Sequence, residues 1–138
     1  MNYPKNFSSQ SARPTPNNDN KVNEARIKKV LDGDAAEMNK YANELAEYYL
    51  PGKENEKLST SQIRNFLDEI QKMKEFSANK LQLLRPKLAY AAGRHKGRVR
   101  DFRDLIEKLI EKTNKDNFDH FKNFVEAIVA YHRFHGGK

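Results

Sequence analysis

From residue 21 onward, apolar positions recur every three or four residues, the repeat of helices that bury one face. No useful stretch alternates in the manner of a strand. A short helix is expected over residues 22–31, stopping at Gly33. Asp34 followed by Glu37 matches a capping box, in which the first side chain accepts from the backbone N–H three residues on. The next stripe is Ala35, Met38, Tyr41, Ala42, Leu45, Tyr48 and Tyr49, and Pro51-Gly52 ends it. Beyond a charged loop, Ser59 and Gln62 form a second capping pair, opening a helix that aligns Ile63, Phe66, Leu67, Ile70 and Met73.

Leu81, Leu84, Leu88, Ala92 and His95 share a further stripe, interrupted by Pro86. A proline inside a helix removes a hydrogen bond and costs ~3 kcal/mol, so a kink or restart is expected, with Pro86 near a first turn. Val99, Phe102, Leu105, Ile106, Leu109 and Ile110 mark the next helix. The last carries Phe118, Phe121, Val125, Ile128, Val129 and His132, and ends at Gly136-Gly137. It is also apolar at Phe124 and Tyr131, so it is expected to run through the centre. The reading is an all-α, compact bundle of about five helices over residues 21–138. Residues 1–20, rich in Ser, Asn and Pro, read as a disordered tail.

Length adds that 138 residues make one domain with a real core. Cysteine is absent, which removes disulfides, thiolate metal sites and nucleophilic cysteine chemistry. No run approaches the ~18–20 apolar residues of a membrane span, and the first ten residues lack a signal-peptide core. No nucleophile elbow or phosphate-cradling glycine loop occurs. The acidic pairs Asp68-Glu69 and Asp101/Asp104 read as solvated helix surface. His132 and His135 are spaced i, i+3, but His132 falls in the apolar stripe and no carboxylate motif accompanies the pair. His95 and His120 stand alone. Neither an enzyme nor a metal or cofactor site is expected.

Charge changes the picture most. Of the net charge of +7, +6 falls in residues 85–103, where seven Lys and Arg face one acid. The sequence pI of about 9.5 gains meaning from that clustering. If residues 86–98 formed one continuous helix, Lys87, Tyr90, Ala91, Arg94 and Arg98 would lie within a sector of roughly 100°. Such a face suits a phosphate backbone, with Ala91 and Gly93 permitting close approach and Tyr90 able to stack on a base or sugar. The competing reading is that these cations complement helix C-termini and that Tyr90 is rim packing.

Three stretches carry a family resemblance: residues 58–66 (LSTSQIRNF), residues 84–94 (LRPKLAYAAGR) and residues 121–137 (FKNFVEAIVAYHRFHGG). Together and in order, they resemble the small subunit of type III-A CRISPR effector complexes, the Csm family. Leu58-Ser59-Thr60 stands where the family has Leu-Thr-Thr, which keeps the capping chemistry, and residues 1–20 have no counterpart. The resemblance implies a non-catalytic helical subunit of a prokaryotic, cytoplasmic antiviral ribonucleoprotein. Copies would stack as an inner filament beside other Csm subunits. They would touch guide RNA and target RNA through the backbone, without sequence preference. Carried onto this chain, Arg64, Lys87 and Arg94 are the first RNA-contact candidates; Lys57, Tyr90, Lys96 and Arg98 follow by proximity and charge. Two other readings stay open: a stand-alone DNA-binding helical protein, and a helical scaffold for acidic protein surfaces.

Overall fold

The computed structural model describes residues 21–50, 60–94 and 98–136. The expected tail at 1–20 and the loop at 51–59, with Lys57 and the cap at Ser59, lie outside the described residues, as do His95, Lys96 and Gly137. Six helices occur among the described residues: α1 (Glu24–Leu31), α2 (Ala35–Tyr48), α3 (Thr60–Gln71), α4 (Ala78–Arg94), α5 (Arg98–Lys112) and α6 (Phe118–Phe134). The class is all-α, one helix richer than expected.

The local signals operate where the chain is described. Asn23 caps α1 by accepting from the Arg26 N–H at 3.0 Å. Gly33, at φ +99°, ends that helix in a left-handed conformation. Asp34 then accepts from the Glu37 N–H at 3.0 Å to start α2. At α4 the cap is Ser77, whose Oγ accepts from the Lys80 N–H at 3.1 Å.

That cap starts α4 well before Pro86, which sits at its ninth position. No restart occurs, and the expectation of Pro86 in a first turn is corrected. The physical reason is burial on both sides of the proline. Leu81 and Leu84 precede it, Leu88 and Ala92 follow it, and all four are buried on one stripe. Pro86 itself is exposed, so the Gln82 carbonyl deprived of its N–H partner lies on the wet side of the helix.

The core forms around α6, which packs against α1, α2 and α3, while α4 lies on α5. Phe121, Phe124, Val125 and Ile128 are fully buried. Tyr41 of α2 stacks on Phe124 with centroids 5.5 Å apart. Phe102 of α5 receives Tyr49 and Phe66 edge-on, at 5.8 and 5.6 Å, joining α2, α3 and α5. The wide apolar face of α6 therefore has the central role its pattern implied. The α2 stripe is narrower than expected: Ala35 is exposed, and Met38 and Tyr48 are half-buried.

Candidate nucleic-acid interface

Between α3 and α4 lies an open groove of about 520 Å³. Phe66, Leu84, Leu88 and Ala91 supply its apolar lining, and Asn65, Asp68, Glu69, Lys72 and Lys87 its polar lining. Helix α3 packs chiefly on α6 and α4 on α5, and the groove opens where the edges of their buried stripes, at Phe66, Leu84 and Leu88, face one another. A second depression continues it past Lys80 and Leu83.

Along α4 the outer stripe runs Leu83, Lys87, Tyr90, spaced i, i+4, i+7, and Arg94 occupies the next turn in register. Leu83 is 61% exposed and Tyr90 68%. Lys87 is exposed, and its Nζ lies 3.2 Å from Glu69 Oε1 across the groove. Arg64 is exposed on α3, next to Asn65 and one turn before Asp68, with no ion-pair partner among the described residues. Of the candidate residues, Lys87 lines the groove itself; Arg64 lies on α3 beside the lining residue Asn65, Tyr90 on α4 beside the lining residue Ala91, and Arg94 follows one turn later on α4.

Arg98 is not part of that face. Helix α4 ends at Arg94 and Arg98 opens α5, so the continuous 86–98 helix does not form. Its guanidinium lies 4.0 Å from the Tyr48 ring centroid and bonds Asp101 Oδ2 at 3.2 Å, while the Tyr48 hydroxyl donates to the same carboxylate oxygen at 2.9 Å. This part-buried network ties the start of α5 to the end of α2.

Several other cations of the basic window are committed in the same way. Arg85 pairs with Glu107 of α5 at 2.5 Å, and this contact raises its pKa. Arg103 reaches Asp104 and Glu107. Arg100 Nε donates to the Ala92 carbonyl at 3.3 Å, satisfying part of the α4 C-terminus. The helix-end reading therefore holds for Arg100 alone; Arg85, Arg98 and Arg103 are held by carboxylates instead.

Sequence reasoning missed the acidic side of the groove. Glu69 bonds Lys87 through Oε1 and Lys72 through Oε2, at 3.2 and 3.4 Å. Lys87 first, then Lys72, hold its carboxyl below the ordinary value of 4.5. The Glu69-x-x-Lys72 spacing was visible in the sequence; the partner from α4 was not.

The two spaced histidines take separate structural positions. His132 is fully buried, whereas His135 Nε2 lies 2.6 Å from Asn43 Oδ1. Among the described residues no group of three or more His, Asp and Glu could hold a metal ion, and no helix is long and apolar enough to cross a membrane.

A family model described as Csm2 Type III-A matches residues 32–138. Searches of curated proteins and of solved structures returned no match. The matched span takes in α2 to α6 and, with them, both walls of the groove. The chain therefore belongs to the Csm2 type III-A family, small subunits of the type III-A CRISPR effector complex.

Proposed function

We propose that the protein is a non-catalytic subunit that stacks in several copies within its complex and supports target RNA through the RNA backbone, without reading sequence. The observation that carries this reading is the α4 stripe Leu83, Lys87, Tyr90, whose first two residues line the α3/α4 groove and its continuation and which offers a cation and an exposed aromatic on one helix. Phosphates meet Lys87, Arg64 and Arg94; a base or sugar meets the face of Tyr90. Lys57 and Lys96, outside the described residues, stay RNA-contact candidates of this proposal by their charge alone. Arg98 drops to a bracing role because its guanidinium is engaged between Tyr48 and Asp101.

Base pairing between guide and target supplies specificity in RNA-guided systems, so the protein needs only shape and charge. A few phosphate contacts per copy make an isolated subunit a weak, salt-sensitive binder, and repetition along a filament supplies avidity. Contacts between successive copies are head to tail, the heterologous kind that builds an open filament.

The test is charge reversal, Lys87→Glu with Arg94→Glu, in the assembled complex. Target-RNA affinity is expected to fall at least about tenfold at moderate salt while subunit incorporation persists. Unchanged RNA affinity would favour the scaffold reading, in which these cations meet acidic protein. A gel-shift comparison at matched salt separates the DNA reading, since sequence-specific duplex binding by the isolated chain would overturn the proposal. Metal-dependent RNA cleavage by the purified chain would overturn its non-catalytic part.

A further inference from the structure

Two of the acidic residues that meet the basic window brace helices from half-buried positions. Glu107, with its side chain 14% exposed, holds Arg85, and Asp101, at 20%, holds Arg98. Glu69 differs. Its lysine partners are long, wet side chains, Lys72 at 73% and Lys87 at 65% exposure, so a ligand can reach both ammonium groups. One lysine follows directly on the C-terminus of α3 and the other comes from α4, and both line the groove. The carboxylate gives one oxygen to each. Two oxygens on one anionic centre, each facing an ammonium, is also how a phosphodiester's non-bridging oxygens would sit there.

We infer that Glu69 is an internal stand-in for a backbone phosphate: it occupies Lys72 and Lys87 in the free protein and is displaced when RNA enters the groove. This rests on the reading of the α3/α4 groove as the RNA-contacting face. Three consequences follow from the geometry. The lysines are pre-positioned toward the groove before RNA arrives. Exchange is easy, because an exposed ion pair in water is weak. The affinity of each copy is held down by competition, so tight binding needs several copies on one strand, where avidity multiplies small terms. The depressed carboxyl pKa agrees with this arrangement, since Glu69 remains an anion, and a competitor, at every pH near neutrality.

The experiment uses the full-length chain and a single-stranded oligouridine, with binding followed by fluorescence anisotropy across a salt series. Four proteins are compared: the parent, Glu69→Gln, Lys87→Ala and the double variant. Glu69→Gln is expected to bind about three- to tenfold more tightly, with a log–log salt slope steeper by roughly 0.7 to 1.4, as one or two further phosphate contacts are neutralised. Lys87→Ala is expected to weaken binding, and the gain from Glu69→Gln to shrink in its background. If Lys87→Ala weakens binding while Glu69→Gln leaves it unchanged or lowers it, the stand-in role is wrong and the interface survives. If neither substitution changes binding, the interface reading falls and takes this inference with it. Helical circular dichroism before and after each substitution establishes that the exposed changes leave the fold intact.

Discussion

Tyr41 shows how one side chain can be both core and clasp. Its ring is buried against Phe124, and the Arg26 guanidinium lies 4.3 Å from its centroid. Its hydroxyl donates to the Lys21 carbonyl at 2.6 Å and accepts from the Asn23 N–H at 3.0 Å, fixing the entry to α1. Arg26 itself bonds Glu37 and Glu44 of α2. Tyr41→Phe keeps the ring and removes both hydroxyl contacts, so urea unfolding at neutral pH is expected to show a loss of about 1–2 kcal/mol. Burial pushes the Tyr41 pKa from 10.0 up to about 12. A raised folded-state pKa contributes stability that is fully present below pH 10 and lost as pH rises toward 12. Over that window the parent should lose its advantage over Tyr41→Phe, as read by denaturation at stepped pH. An advantage that stayed constant to pH 12 would contradict the assignment.

At the scale of the element, the informative helix is α4. Its proline and its length conflict by local rules, and tertiary burial of Leu81, Leu84, Leu88 and Ala92 decides the outcome. Pro86→Ala restores the N–H for the Gln82 carbonyl, and is expected to raise stability by about 1–3 kcal/mol in denaturant titrations. A destabilised Pro86→Ala protein would mean that α4 breaks at this residue in solution. The turn between α1 and α2 makes the opposite case, where local chemistry and packing agree. Gly33 has φ +99°, and a Cβ there would sit 3.1 Å from His120 Nε2 on α6. Gly33→Ala is expected to lower stability by about 1–2 kcal/mol, from the left-handed backbone and the displaced imidazole together. A midpoint indistinguishable from the parent's would show that both can relax.

For the whole molecule, α6 is the axis on which three other helices depend. Phe124 is fully buried there, whereas Phe134 at its far end is 79% exposed. Phe124→Ala is expected to cost about 3–5 kcal/mol and to lower the single unfolding transition as a unit. Phe134→Ala should stay within about 0.5 kcal/mol of the parent. Thermal melts of the two variants side by side check the contrast; similar melting points would mean that α6 is not the organising core.

Much was legible in the chain because helices obey short-range rules. The 3.6-residue period of apolar positions marked the stripe of each helix although the bundle was read as about five helices, and Gly33 and Asp34 marked a boundary, since propensity, capping and left-handed backbone act within a turn of sequence. The sites at α4 were legible only in part. Lys87, Tyr90 and Arg94 lie one turn apart, so the sequence alone placed them on one side of a helix. What the basic window could not disclose is how its charges are spent. Arg85, Arg98 and Arg103 find carboxylates, Arg100 finds a helix end, and Lys87 faces Glu69, a residue eighteen positions away. Grouping Arg98 with Lys87 needs a continuous helix, which the packing of α4 against α5 rules out. The sequence by itself determined the helical class, the buried stripes and the presence of an exceptional concentration of positive charge. Only the tertiary structure decided which cations remain exposed at a groove and which brace the bundle, because ion pairs are chosen by proximity in space. That proximity follows from how α3, α4 and α5 dock, a long-range outcome that no periodicity along the chain encodes.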